Sequence, residues 1–367
     1  MRGQRERQQS MFVAFNMEER VPDDHPLREI KRRCDRILTD MSRDFDRCYG
    51  KTGRVGIPPE SMLKALLLRA LFGIPSERRL CEACEFNVLY RWFLDWPLER
   101  PMWTPEAFSM NRERFEARAL VTKFFERVVA EGIEEGLVGD DRFSVDGSLI
   151  RSLAGHKSVK PIGGDRGDDD DLNGWSNFKG KKRSNTTHRS VVDPEARLAS
   201  RGGEAHLSHS LHALADARTG FIARVAVDTA DGRAERRNAL LMLDRVNKRH
   251  GLTPGTLAAD AGYGAGEFLC ELERRGITPH AAMKKGKIKG ESAEHRARRR
   301  MRRRKRTKGY QASQRLRRFI EPVIGWCKHI GGLSRTRFIG HERIQDDAMM
   351  TAAAWNLMRM TRLRGAT

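Results

Sequence analysis

The hydrophobic positions divide the chain into a helical first part and a later part in which strands and helices mix. From Pro26 to Tyr49, Leu27, Ile30, Cys34, Ile37, Leu38, Met41 and Phe45 recur at three- and four-residue spacing, the pattern of an amphipathic helix. Pro58-Pro59 opens a second helix where a missing N–H costs nothing, and Met62, Leu63, Leu66, Leu67, Ala70 and Leu71 continue it. Gly73-Ile74-Pro75 breaks that helix, Ser76 caps a third through Cys84, and an aromatic-rich segment follows from Val88 to Trp96. Two short helices around such a break resemble a helix-turn-helix, a shape that the corners of any helical bundle also produce. Thr104-Pro105-Glu106 starts another helix, and Leu120 to Glu135 is a further amphipathic one.

Beyond about residue 138 the pattern changes. Arg142 to Ile150 (RFSVDGSLI) sets β-branched and apolar residues around one carboxylate, as a strand does. Gly155 to Gly203 is polar, with an acidic patch at Asp165 to Asp171 and a basic one at Lys179 to Arg183. With little to bury, it reads as a long loop or mobile insertion. Leu207 to Leu214 and Phe221 to Asp228 form a strand pair turned at Arg218-Thr219-Gly220. A helix over Glu235 to His250, a short strand over Thr256 to Asp260, a helix over Glu267 to Arg275 and a strand over Ile277 to Met283 come next. Gln311 to Ile330 and Asp347 to Leu363 are the last helices. That order suits an α/β fold, a mixed sheet covered by helices, preceded by an all-α region.

Charge narrows the function. Against 49 Asp and Glu stand 70 Lys and Arg, a formal +21. A surplus of that size favours a polyanionic partner, since neutralised phosphates release their counterions. The basic residues also cluster: ten of the thirteen from Arg296 to Lys308 are Lys or Arg. That run resembles an arginine-rich nucleic-acid arm, expected to touch phosphates more than bases. Six cysteines (Cys34, Cys48, Cys81, Cys84, Cys270, Cys327) make no disulfide framework, and Cys81 and Cys84 lack the second pair that a zinc site needs. No stretch approaches the roughly 18 apolar residues of a membrane span, so a soluble, intracellular protein is expected. His188, His206, His209 and His212 lack compact metal spacing and read as structural or loop residues. Trp175, in the polar segment, suits either base stacking or anchoring.

Three acidic residues stand in settings that suit hard-cation chemistry. Asp146 lies within a strand, where a carboxylate is costly unless it faces a ligand. Asp260 ends a strand, the place where sites form in α/β sheets. Glu321 sits on a helix with Arg317 four residues before it and Lys328 seven after, offsets that share one face. Singly, each has an ordinary explanation as a turn residue or an exposed ion pair. Their order and contexts together point to a metal-dependent phosphoryl-transfer site, with Mg²⁺ held by carboxylates from separate rigid elements.

At this point the sequence becomes recognisable. Tyr310 to Lys328 (YQASQRLRRFIEPVIGWCK) resembles the signature helix of insertion-sequence transposases: Tyr, two residues, Arg, three residues, Glu, six residues, Lys. Gly331-Gly332-Leu333 to Arg337, and Ala352 to Leu357, are similar to the same family's C-terminal tail. FSVDGSLI and LAADAGYG resemble its first and second aspartate motifs, and His25-Pro26-Leu27-Arg28 with Leu80 to Trp92 resembles the N-terminal domain of the insertion-sequence five group. Two departures stand out. The tyrosine position holds Gln314, with Tyr310 four residues early, and Ala261 follows the second aspartate where a basic residue is frequent.

The resemblance implies a ribonuclease H-like catalytic domain over 139–367, with a polar insertion at about 155–205 and a basic segment at 284–308. A helical domain over 1–138 would bind DNA ends. Asp146, Asp260 and Glu321 would hold two Mg²⁺ ions, with Mn²⁺ as a substitute. Arg317, Lys328, Tyr263, Arg302, Arg303, Arg304, Lys305 and Arg306 would contact DNA or its phosphates. The implied partners are transposon ends and target DNA, double-stranded in both cases, with a homodimer in the DNA complex and a bacterial cytoplasmic location. A nuclease that cuts without joining and a catalytically silent DNA-binding derivative remain the alternatives.

Overall fold

Proline and side-chain caps punctuate the first part of the chain. The computed structural model describes residues 16–49, 56–162, 184–200, 202–284 and 286–364. Its first eight helices are α1 (Met17–Arg20), α2 (Pro26–Asp40), α3 (Ser42–Asp46), α4 (Pro59–Leu71), α5 (Glu77–Phe86), α6 (Val88–Leu94), α7 (Pro105–Ala117) and α8 (Leu120–Glu134). Ser76 accepts from the Arg79 N–H and Thr104 from the Ala107 N–H, as expected of caps. The single helix expected from Pro26 to Tyr49 is two, divided at Met41. Helix α2 also buries Arg33, whose guanidinium is held by Glu29, Glu131 and Glu135. Only such full pairing makes a buried cation tolerable.

The sheet strands are β1 (Arg142–Arg151), β2 (Val159–Pro161), β3 (His188–Ser190), β4 (Arg197–Ala199), β5 (His206–Asp216), β6 (Ile222–Thr229), β7 (Thr256–Ala259) and β8 (Thr278–Ala281). The main order is β6-β5-β1-β7-β8. Strand β5 runs antiparallel to β1 and β6, whereas β7 is parallel to β1 and β8 to β7. The β5–β6 turn is held by Asp216, whose carboxylate accepts from the N–H groups of Gly139, Arg218 and Thr219. Parallel neighbours need crossovers, and α9 (Ala234–His250) and α10 (Gly266–Arg274) supply them. Three antiparallel strands followed by two parallel ones, in this order, make a ribonuclease H-like sheet behind a helical N-terminal region.

The remaining helices are α11 (Ala293–Arg304), α12 (Lys308–Leu316), α13 (Ile320–His329) and α14 (His341–Arg364). The continuous helix expected from Gln311 to Ile330 is interrupted by a 3-10 turn at Arg317–Phe319. Pro322 explains the break. It donates no N–H, and its ring clashes with the carbonyl four residues back, so it is tolerated only in a first turn. Glu321 therefore starts α13 rather than lying mid-helix.

The polar segment expected as a long loop holds short strands among its described residues. Its described residues include the β2–β3 pair and β4, which extends the sheet by pairing with Leu207 and its neighbours. Asp193 is wholly buried and binds both Ser152 Oγ and His209 Nε2, the latter at 2.8 Å. Burial pushes the Asp193 carboxyl up, but these two partners outweigh it and hold the group below the usual range. Trp175 and both charged patches fall outside the described residues.

Helix α14 joins the two parts of the chain, packing on α2, α4 and α8 on one side and on β6 on the other. One continuous apolar core results. Its Trp355 Nε1 donates to the Gly220 carbonyl (2.7 Å), and buried Asn356 both accepts from Ile222 N (2.8 Å) and donates to Ile222 O (2.9 Å). These residues belong to the tail motif at Ala352 to Leu357, which is thereby explained as a clasp on the start of β6. Replacing Asn356 with Leu strands two buried backbone groups, at about 1–3 kcal/mol each. The variant is expected to unfold at clearly lower urea concentration, and an unchanged midpoint would contradict the clasp.

Candidate active site and nucleic-acid interface

The parallel register of β1 and β7 decides where the two aspartates stand. Ser144 pairs with Ala258 at the end of the β1–β7 ladder, and Asp146 within β1 and Asp260, the residue immediately after β7, each stand two residues beyond that pair. Neighbouring strands run about 4.8 Å apart. Each carboxylate is oriented by the backbone that follows it. Asp146 Oδ1 accepts from Gly147 N and Asp260 Oδ1 from Gly262 N, both at 2.8 Å. Both glycines sit where a side chain would be crowded. A Cβ on Gly147 would meet the His212 ring at 2.9 Å, and one on Gly262 would meet Asp260 Oδ1 at 3.0 Å and Glu235 Oε2 at 3.1 Å.

Glu235 is thus a fourth carboxylate beside Asp260, and sequence reasoning missed it. The available signal was an acidic residue in the first turn of the helix that follows the strand pair. Neighbouring Arg236 donates to the Gly262 carbonyl (3.0 Å) and steadies the same turn.

Glu321 approaches from the helical side. Helix α13 packs on β1 and α12 on β7, and Arg317 reaches the Glu321 carboxylate at 3.4 Å. Glu321 is exposed and does not join Asp146 and Asp260 in a set of ligand atoms lying within 4.8 Å of one another. Three carboxylates repel one another until a cation sits among them.

Gln314, at the signature's tyrosine position, clamps α12 onto the sheet. Its Nε2 donates to the carbonyls of Ala259 (3.3 Å) and His280. It grips the ends of β7 and β8 immediately before Asp260. His280 is buried on β8, binds Ser313 Oγ through Nδ1 (2.7 Å) and meets Tyr310 edge to face. Burial, helped by Arg304 and Arg142, pushes its imidazole down to about 4.

The expected DNA contacts separate into two groups. Tyr263 is fully buried with its ring 5.5 Å from Phe268, so it has no surface to offer a phosphate and packs the turn after Asp260 instead. Lys328 lines a cavity of about 530 Å³ with Arg151 and Arg335. The basic run is a helix, not an extended arm. In α11, Ala297 and Met301 are buried, and Glu273 pairs with Arg300 and Arg304. Arg302 donates to the Gly286 carbonyl (2.6 Å), while Arg303, Lys305 and Arg306 are exposed. Cys81 and Cys84 are both buried, and burial raises their thiols to about 11 and about 12.

Comparison with known families decides the class. Residues 15–114 match a family described as "Transposase domain (DUF772)", and residues 175–357 match one described as "Transposase DDE domain". The chain belongs to the DDE transposases of insertion-sequence type. The second match takes in Asp260 and Glu321, and Asp146 precedes it on the central strand. No curated protein matches this transposase. A solved structure described as "Mos1 transposase paired-end complex with left transposon end" aligns at 11% identity, over 72% of this chain and 81% of that one. Its TM-score of 0.20 carries no argument, and the fold rests on the strand order. As a family member the transposase is a DNA-cleaving and DNA-transferring enzyme that uses divalent metal ions. Among the described residues, no helix is long and apolar enough to cross a membrane.

The His280 seat gives a pH prediction. An imidazole ordinarily near 6.5 and held near 4 in the folded state contributes stability that is present above about 6.5 and lost as pH falls toward 4. His280→Gln is expected to flatten the fall in melting temperature between pH 6.5 and pH 4. Parallel curves for variant and parent would contradict it.

Proposed function

We propose that this transposase binds the terminal inverted repeats of its element, cleaves the DNA at those ends and joins the freed 3′-hydroxyls to target DNA. The observation that carries the reading is that Asp146 in β1 and Asp260 just after the paired strand β7 both stand two residues beyond the Ser144–Ala258 pair, with Glu321 in the first turn of a helix packed on β1. This all-oxygen donor set fits Mg²⁺, two ions per site, with Mn²⁺ as a substitute. Bound there, the cations supply Lewis-acid activation of the attacking oxygen and stabilisation of the leaving one.

The chain's own residues do the rest. Asp146, Asp260 and Glu321 hold the ions. Arg317, paired with Glu321 at 3.4 Å, orients that carboxylate and neutralises a nearby phosphate. Lys328 and the exposed Arg303, Lys305 and Arg306 take phosphates of the strand leading to the site, contacts that position DNA without reading its sequence. Both chemical steps are in-line displacements at phosphorus. First a water oxygen attacks and a strand's 3′-oxygen leaves as the hydroxyl. That hydroxyl then attacks a target phosphodiester and displaces the target's own 3′-oxygen. One set of carboxylates serves both. In the helical part, α5 exposes Arg78, Arg79, Glu82 and Phe86 over a buried Leu80, Cys81 and Cys84, a face suited to a DNA groove. Two ends in one complex imply a homodimer, working in the bacterial cytoplasm.

Asp146→Asn, Asp260→Asn or Glu321→Gln is expected to lower end cleavage by at least about 1000-fold while retention of labelled ends in a gel shift is unchanged. Full cleavage by any of them would remove that residue from the site. Replacing Arg303, Lys305 and Arg306 with Ala is expected to reduce the slope of log K against log salt by about 2 to 3, since each phosphate contact contributes about 0.9. An unchanged slope would show that DNA passes elsewhere.

A further inference from the structure

Three side chains that the active site does not use converge at the far end of β5. His156 comes from the short 3-10 turn after β1, Glu204 from the β4–β5 connection, and His206 is the first residue of β5. One ligand atom from each lies within 4.8 Å of the other two, and the two imidazole centroids are 5.9 Å apart. A tetrahedral Zn²⁺ with bonds of about 2.05 Å needs ligands about 3.3 Å from one another, so small side-chain rotations close the set. We propose that His156, Glu204 and His206 form a second metal site, for a single Zn²⁺-class cation.

The site stands apart from Asp146 on the central strand. Asp146 pairs with Ala213, seven residues along β5 from His206, which at about 3.3 Å per residue is roughly 20 Å away. The donor chemistry differs as well. Two imidazoles and one carboxylate suit borderline cations, whereas Mg²⁺ wants oxygen alone. Nearby charge sharpens that choice. Glu204 and His206 line the cavity that also holds Arg151, Lys328 and Arg335, and these oppose any further positive charge. Binding there would have to rest on strong bonds to the two imidazole nitrogens, and the cavity leaves room for water as the fourth ligand. The consequence for the fold is a clip. The metal would tie the excursion that leaves β1 to the strand where it returns, and such cross-links gain most when the loop they close is long.

The test uses full-length protein without an affinity tag. Wild type is expected to bind one equivalent of Zn²⁺ beyond any at the active site, to give visible Co²⁺ absorption bands of a low-symmetry site, and to melt several degrees higher with Zn²⁺. Mg²⁺ at millimolar concentration should not displace the Co²⁺. His156→Ala and His206→Ala are each expected to weaken binding by more than about 100-fold, beyond what loss of an outer partner costs. Exposed Glu204→Ala is a variant whose folding is not at risk, and it too should weaken binding. The triple variant Asp146→Asn, Asp260→Asn, Glu321→Gln should keep the Co²⁺ bands, so this proposal stands or falls separately from the active-site reading. No Zn²⁺ uptake, uptake indifferent to all three substitutions, or loss of the bands in the triple variant would each overturn it.

Discussion

The parallel pairing of β1 with β7 is the constraint on which the rest of this transposase depends. Two parallel strands cannot be joined by a tight turn, so the chain must leave the sheet between them. It does so through the β5–β6 pair and α9, and the excursion returns β7 in a register that sets Ala258 against Ser144. Everything acidic at the site follows from that register. Asp146 and Asp260 each follow the last β1–β7 pair by two residues, the glycine after each or next but one turns a backbone N–H onto its carboxylate, and Glu235 stands on the first turn of the crossover helix. Gln314 then locks the signature helix onto the ends of β7 and β8.

Charge is sorted between interior and surface. Buried arginines consume carboxylates: Arg33 takes Glu131 and Glu135, and Arg224 shares Glu126 with His250. With part of the acid inside, the surplus of +21 is expressed on the surface, most densely around α11. Helix α11 remains folded despite its composition because Glu273 pairs two of its arginines and Ala297 and Met301 give it an apolar seam. Such a scaffold holds cations in a fixed array, which a flexible arm would have to order on binding.

Much of the fold was legible because its signals are local. The β-branched and apolar residues of RFSVDGSLI, the turn at Arg218-Thr219-Gly220 and the caps at Ser76 and Thr104 all act within a few residues. Long-range packing was not legible. Nothing near Asn356 says that its amide will grip Ile222, and nothing near His156 says that Glu204 and His206 will meet it. The interruption at Arg317–Phe319 was readable in principle from Pro322, whose effect on the preceding turn is as local as any cap. Tyr263 erred the other way. The resemblance implied a phosphate contact for it, yet its ring is buried against Phe268. The aspartates were legible by order and setting, and their separation depended on a register that sequence does not encode visibly.

The central claim is that one carboxylate site both cuts and joins DNA. The most direct measurement incubates the wild-type chain and Mg²⁺ with DNA carrying pre-cut copies of the ends that flank its gene, together with a supercoiled target plasmid. The account predicts covalent products in which the 3′-hydroxyl ends are joined to target strands, absent without the divalent cation. Nicking of the plasmid with no joined product would identify a nuclease and contradict the account.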